Sequence, residues 1–404
     1  MPSRPQFELV DEPHAFRRAA DALNAGRGPF ALDTERASTF RYDDRAFLVQ
    51  VHRRGAGTFL IAPEGHREEV RRIFAPVLGG ADWILHAAGE DLPSLAELGL
   101  HPGSLFDTEL AGRLGGSDRP NLAAMVERFV GVTLEKGHGR EDWSTTPLPW
   151  QWQEYAALDV LHLNELAEAQ AEYLEGRGLL AAASQEFAHL AALPRSTTAT
   201  RKTWRDVKGV GSLRSPAELQ VARALWAERD AEGRASDTAP NAILPNKVLV
   251  DLARARPLTP AETARTKGFP RRRRGAAERW SAVIRRALDD APSTWPSPER
   301  RSGEVPGKSA WERHHPESWE ALSAARAAVA GAADARGVAP EVLLQPAMLR
   351  RLVWDATSRE AGMSWDTHAT AAALARLGAR PWQVEATAVA VSGALRRATE
   401  EAAG

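Results

Sequence analysis

Asp33, Thr34 and Glu35 follow the apolar run Pro29-Phe30-Ala31-Leu32. That run predicts a buried strand, and in an extended chain residues two apart point to the same face. Both carboxylates therefore project together. Two such groups repel each other unless a cation neutralises them. A divalent ion with oxygen ligands is the natural partner. Taken alone, the pair has a second reading as a solvated strand end. Tyr155 and Asp159 stand four apart in a helical stretch, so they also share a face. A phenol beside a carboxylate can orient a metal-bound water and help deprotonate it. The plainer reading is a half-buried tyrosine beside an exposed acid. Asp91, in His86-Ala87-Ala88-Gly89-Glu90-Asp91-Leu92, opens a further helix, where an acid can simply complement the helix dipole.

Taken together the five residues say more. Four acids and one tyrosine fall in the order strand, helix start, helix. Phosphodiester hydrolysis by two metal ions needs such a cluster, with the ions roughly 3.5–4 Å apart. One ion activates the attacking water and the other steadies the leaving oxygen.

The elements that must position these residues are legible around them. Phe47–Val51 and Thr58–Ile61 read as short strands about the turn-forming Arg53-Arg54-Gly55-Ala56-Gly57. Glu68–Val77 reads as helix, Trp83–His86 as strand and Asp91–Leu98 as helix. Helix dominates from Asp107, and one long helix is expected from Trp152 to Leu174. The pattern predicts an α/β domain with a mixed sheet. Leu193–Ser212 reads as a linker. Everything after it reads as helix. Ser215-Pro216-Ala217-Glu218 forms a capping box with proline at the first helical position. Pro245–Arg256 and Glu278–Leu288 follow, then a break over Pro292–Pro306, then helices from Pro316 to Ala398. The two helical groups are similar in length, which suggests a tandem duplication.

The 404 residues are comfortable for two or three domains. With 43% hydrophobic and 26% charged residues this is ordinary globular material. Cysteine is absent, which excludes disulfides, thiolate metal sites and cysteine nucleophiles. Neither a secretory signal nor a membrane-length apolar run is visible. The composition points to the cytoplasm. The overall net charge of −1 hides a split: residues 1–200 carry 19 Lys and Arg against 29 Asp and Glu, and residues 201–404 carry 33 against 24. The acidic half suits divalent cations and the basic half suits phosphates, although two unlike surfaces would give the same split.

The motifs resemble those of the DEDD exonuclease superfamily in its tyrosine-containing branch, and most closely the ribonuclease D family. Ala31-Leu32-Asp33-Thr34-Glu35 resembles the first exonuclease motif and Leu48-Val49-Gln50 the strand after it. His86 to Leu92 resembles the second, with Asp91 as its acid. Glu141-Asp142-Trp143, Pro147-Leu148, Gln153 and Tyr155 to Val160 resemble the third. The likeness spans roughly residues 7–190 in the expected order. It implies an α/β ribonuclease H-like 3′-5′ exonuclease domain, a mixed sheet with flanking helices, over 1–195. The two helical groups resemble HRDC domains, over 212–292 and, more faintly, 314–404, with linkers at 196–211 and 293–313.

The resemblance implies roles as well. Asp33, Glu35 and Asp159 would bind the catalytic metal. Asp33 with Asp91 would hold the second, the pair being Mg²⁺ or Mn²⁺. Tyr155 would hydrogen-bond the attacking water. The expected reaction is hydrolysis of RNA from a free 3′ end, with release of 5′-mononucleotides and tRNA precursors among the expected substrates. A DNA exonuclease of the same fold and a silent RNA-binding scaffold are the competing readings. No obligate protein partner is implied, so a monomer is expected. Lys136, and the run Lys267, Arg271, Arg272, Arg273 and Arg274, are the expected phosphate contacts. A surface lysine and a solvated loop are their plainer readings. His86 and Trp143 are expected near the site, Trp143 as a core residue. Two departures from the family stand out. Arg36-Ala37 follows Glu35 where an aromatic or bulky apolar residue is usual, and Ser144-Thr145-Thr146 precedes Pro147 where an arginine is usual.

Overall fold

The computed structural model describes residues 5–134, 137–194, 203–298, 305–358 and 365–401. Its centre is a six-stranded sheet: β1 (Glu8–Val10), β2 (Arg27–Arg36), β3 (Ala46–Arg54), β4 (Gly57–Ile61), β5 (Asp82–Leu85) and β6 (Ser104–Asp107). The spatial order is β1-β4-β3-β2-β5-β6. Strands β2, β3 and β4 form an antiparallel meander, while β1, β5 and β6 add in parallel, so the sheet is mixed as expected. Strand β2 is central, paired on one side with β3 and on the other with β5. A strand bonded on both edges cannot shift without breaking two ladders, which makes it a rigid base for Asp33 and Glu35.

Helix α1 (Pro13–Ala25) starts at a proline and buries Ala15, Phe16, Ala19, Ala20 and Leu23, a 3–4 spacing that makes one apolar stripe. With α2 (Arg67–Leu78) it covers one face of the sheet. Then come α3 (Leu92–Glu97), α4 (Thr108–Leu114) and α5 (Leu122–Val130). The expected single helix from Trp152 to Leu174 is two: α6 (Trp150–Leu161) and α7 (Leu163–Gly176), parted at His162, whose ψ of 5° leaves the helical range. The break has a packing reason. Helix α6 lies on β2, β3 and β4, whereas α7 packs on α4, α5 and β5, and one straight rod cannot follow both. Helix α8 (Leu180–Ala192) lies against β6. The short strands β1 and β6 and helix α1 were not expected from the sequence.

The second half is helical. A first module contains α9 (Pro216–Ser236), α10 (Pro240–Ile243), α11 (Asn246–Ala255), α12 (Pro260–Arg265) and α13 (Ala276–Asp289). The capping box at Ser215 and Glu218 forms as read. A second module contains α14 (Lys308–His314), α15 (Pro316–Asp334), α16 (Pro340–Leu343), α17 (Pro346–Ser358), α18 (Thr367–Arg376) and α19 (Pro381–Glu401). Helices α9 to α11 and α15 to α17 repeat one order: a long helix, a four-residue helix begun by proline, then a third helix. No described helix is long and apolar enough to cross a membrane.

The modules join the sheet domain differently. The core of the second module is continuous with Ala111, Leu114, Leu174, Ala183 and Phe187 of the sheet domain. The Arg380 guanidinium meets the Glu186 carboxylate through Nε and Nη2, both at 2.7 Å, and Trp382 Nε1–H donates to the same carboxylate at 2.6 Å. The described core of the first module is its own. Removing one member of a buried ion pair strands the other charge, at a cost of about 3–5 kcal/mol. Arg380→Met is therefore expected to lower the midpoint of thermal unfolding clearly. Adding Glu186→Gln to it should recover part of the loss. A calorimetric double-mutant cycle checks this.

Candidate active site

Asp33 and Glu35 lie on one face of β2, opposite Gln50 and Leu48 of β3. The register slips between Glu35–Leu48 and Arg36–Ala46, where β3 contributes the extra residue Phe47. Such a bulge bends a strand and re-aims its side chains. Helix α6 buries Ala156, Ala157 and Val160 against the sheet, and this seats Asp159 above β2. One carboxylate oxygen from each of Asp33, Glu35 and Asp159 lies within 4.8 Å of the others. Tyr155 is four residues before Asp159 on the same helical face, with its hydroxyl within hydrogen-bonding reach of that carboxylate.

Asp91 approaches from the next crossover. The turn carrying it is held by Asp107, a buried acid at the end of β6. Its carboxylate accepts the backbone N–H groups of Ala87 at 3.1 Å, Ala88 at 2.8 Å, Glu109 at 2.9 Å and Leu110 at 3.0 Å. Ala87 has φ +60°, a left-handed conformation a non-glycine residue rarely adopts, and the two bonds from Asp107 hold the turn there. Asp91 itself is buried and accepts the Thr34 hydroxyl at 2.7 Å. Ser94 adds a contact to Thr34 at 3.2 Å. Thr34 thus lies between two acid-bearing positions of its own strand and ties Asp91 to that strand from the other face.

The electrostatics are those of buried acids that Arg36 offsets only in part. Burial raises all four carboxyls. Asp33 is pushed up to about 7 by burial and then by Asp159. Glu35 goes to about 10 through burial, Asp33, Asp159 and Asp91. Asp159 rises to about 7 through burial, opposed by the hydrogen bond from Tyr155. Asp91 is raised well above its ordinary value by burial and by Asp33, with Thr34 and Arg36 pulling back. The Tyr155 phenol is raised by burial, then by Asp159, Glu35 and Asp33. Clustered, desolvated carboxylates of this kind fit a divalent cation with oxygen ligands. Asp33, Glu35 and Asp159 form one donor set, and Asp91 stands beside Asp33 for a second.

The model for the 3'-5' exonuclease domain matches residues 7–174, the HRDC domain model matches residues 218–280, and the model for a 3' to 5' exonuclease C-terminal domain matches residues 304–395. Ribonuclease D of Pseudomonas paraeruginosa is 31% identical over 330 residues, covering 80% of this chain and 83% of that protein. The chain belongs to the ribonuclease D family. Ribonuclease D of Escherichia coli K12 is 29% identical over 269 residues, 62% of this chain and 67% of that one. Among solved structures, a protein from Bifidobacterium adolescentis superposes with a TM-score of 0.82 at 32% identity, covering 97% of this chain and all of that one. Escherichia coli RNase D shares the fold, with a TM-score of 0.68 at 24% identity over 92% of this chain and 98% of that one.

Within this ribonuclease D family chain, Asp33, Glu35, Asp91, Tyr155 and Asp159 meet in one place. Lys267 and Arg271 to Arg274 are exposed between α12 and α13 of the first module, where Arg271 donates to Ala264 O and Arg273 pairs with Glu232. Lys136 lies outside the described residues. Trp143 is buried beside Tyr155, with ring centroids 6.4 Å apart, in keeping with a core role. His86 accepts or donates at Nδ1 with Thr108 Oγ1 at 2.8 Å, and burial lowers it to about 4, so it is neutral at pH 7.

Sequence reasoning missed five supports. Thr34 and Ser94 carried no signal beyond lying beside acids. Asp107 marked only where helix begins to dominate, and nothing local showed it as the anchor of the Asp91 turn. Gly137 lies so close to Tyr155 that a Cβ there would fall 2.0 Å from the ring. Arg36 turns out to face the acids: its guanidinium is 3.9 Å from Asp91 Oδ1, 3.8 Å from Glu90 Oε2 and 3.4 Å from Asp44 Oδ2.

A carboxyl raised on folding binds more protons folded than unfolded, so stability falls as pH rises through the window between the two values. For Asp33 and Asp159 that window runs from 3.8 to about 7. The metal-free protein should therefore melt at a lower temperature at about pH 8 than at about pH 5.5, and saturating Mn²⁺ at the higher pH should remove most of the difference. Asp33→Asn should show a smaller pH-dependent drop and a smaller response to Mn²⁺. Thermal melts at the two pH values, with and without the ion, check this.

Proposed function

We propose that this chain is a metal-dependent 3′→5′ exoribonuclease that hydrolyses RNA one nucleotide at a time from a free 3′ end, with precursors of structured RNAs such as tRNA among its substrates. One observation carries the reading: three desolvated carboxylates with oxygens within 4.8 Å of one another, in a chain of the ribonuclease D family. Asp33, Glu35 and Asp159 would hold one divalent ion, Mg²⁺ or Mn²⁺, and Asp33 with Asp91 a second. When bound, such ions supply Lewis-acid stabilisation of the charge that develops at the phosphate.

The chain's own contribution is positional. Strand β2 fixes Asp33 and Glu35 at a spacing of two residues. Helix α6 fixes Tyr155 and Asp159 at a spacing of four. The metal-free site holds the Tyr155 phenol protonated, because burial and three nearby acids oppose its ionisation. It is therefore suited to orient the attacking water by a hydrogen bond rather than to take the proton. The first helical module, in the basic half of the chain, would carry the phosphates of the body of the RNA through Lys267 and Arg271 to Arg274, with Lys136 as a further phosphate contact. The enzyme would work in the cytoplasm as a monomer.

The decisive assay uses 5′-labelled RNA and matched DNA, each with a free or blocked 3′ end, in Mg²⁺ or Mn²⁺. RNA with a free 3′ end should shorten stepwise and release 5′-mononucleotides. Equal shortening of the blocked RNA would sink the exonuclease direction, and faster shortening of DNA would reassign the substrate. Asp33→Ala and Asp159→Ala should each lower kcat by at least about 100-fold. Tyr155→Phe should lower it by about 100-fold while leaving the Mn²⁺ response of the melting temperature intact.

A further inference from the structure

The polypeptide that leaves the acidic strand does not return directly to the sheet. Residues 37–45 first loop out to the first helical module. Asp237, which ends α9 in a left-handed conformation at φ 46°, reaches back to that loop with both carboxylate oxygens. Oδ1 accepts Arg45 Nη1 at 3.1 Å and the Tyr42 backbone N–H at 3.3 Å. Oδ2 accepts Arg45 Nη2 at 2.7 Å and lies 3.5 Å from Arg41 Nη1. Tyr42 seats its ring on Gly233 of α9, where a Cβ would fall 2.9 Å from the ring, and donates its hydroxyl to Asp230 at 2.7 Å. The Ala239 N–H donates to Phe40 O at 3.1 Å.

The same loop touches the active site at two points. Arg41 Nε donates to Ser144 Oγ at 2.7 Å, and the neighbouring Trp143 packs beside Tyr155. Asp44 pairs with Arg36, which faces Asp91. A loop without secondary structure of its own is held in place by what it contacts. Here a large share of those contacts comes from the first module. That module's described core is self-contained, so its attachment rests on polar contacts, in contrast to the apolar core and buried pair that fuse the second module to the sheet domain. Polar interfaces of this kind open more readily than apolar ones.

We propose that Asp237 is a positioning residue for the reaction: by bridging Arg41 and Arg45 it docks the first helical module on the loop 37–45 and so holds Arg36 and the Ser144 segment in place around the acids. This rests on the assignment of the acid cluster as the hydrolytic site. Docked, the loop is rigid and the site is assembled. Undocked, the module no longer braces the loop and the site loses its outer support.

The absence of native cysteine makes the test direct. Asp21→Cys on α1 and Ala261→Cys on α12, both exposed, take a fluorophore pair that reports the distance between sheet domain and module. In the Asp237→Ala background energy transfer should fall, and kcat on a short single-stranded RNA should drop roughly tenfold with KM little changed. The thermal midpoint should stay close to that of the parent. Without the dyes, a disulfide between Phe40→Cys and Ala239→Cys, which bracket a backbone hydrogen bond, should restore kcat of Asp237→Ala to within about twofold of the parent on oxidation. Unchanged energy transfer in Asp237→Ala would overturn the latch. Reduced transfer with unchanged kcat, or a formed disulfide that fails to restore kcat, would overturn the positioning role. If Asp33→Ala keeps full activity, the acid cluster is not the hydrolytic site, and the distance measurement still reads the latch by itself.

Discussion

Mutual repulsion among carboxylates withdrawn from water is the constraint on which this structure turns. Asp33, Glu35, Asp91 and Asp159 all lie where burial disfavours their charge, and each is raised further by at least one other acid of the cluster. Left to itself the chain would relax such a cluster by moving the groups apart. It cannot, because the acids sit on elements fixed for other reasons. Two are on the central strand, bonded on both edges. One is on a helix whose alanine face lies flat on the sheet. One is on a turn whose Ala87 and Ala88 N–H groups donate to the Asp107 carboxylate. Scaffold rigidity holds an arrangement whose repulsion a divalent cation would relieve.

The supporting shell shows how that arrangement is kept. Thr34 bonds Asp91 and meets Ser94, so the strand's opposite face is not idle. Arg36 brings the nearest fixed positive charge to Asp91, in a position where the family usually has an apolar residue. A guanidinium there offsets part of the local repulsion without replacing a metal ion, since it stands at 3.9 Å and bonds Glu90 and Asp44 as well. Tyr155 is walled by Trp143 and Gly137, which limits the positions its hydroxyl can take.

The two helical modules follow one helix order but join the nuclease domain by opposite chemistry. The second is welded by apolar surface and a buried ion pair. The first touches through arginines, aspartates and a tyrosine hydroxyl, all at the loop beside the acids. The acidic and basic halves of the chain thus meet at a polar seam next to the site, where the charge of an incoming polyanion would be felt most strongly.

Much of the catalytic framework was already written in the residues. The apolar run before Asp33 and the spacings of two and four made the shared faces of Asp33/Glu35 and Tyr155/Asp159 a matter of strand and helix geometry. The three motifs in order gave the family and the mixed sheet. The second half read as helix from its caps. What local sequence could not decide depends on contacts between distant segments. The break at His162 arises because two helices must pack on different partners. The short strands β1 and β6 exist through pairing rather than propensity. Asp107 reads locally as the start of a helical stretch, and its grip on Ala87 and Ala88 appears only when two crossovers lie side by side. Arg36 reads as a substitution beside the site, and its place against Asp91 needs the turn at 86–91 to come alongside β2. Spacing along one element determined which side chains face together, and the tertiary structure decided which faces meet.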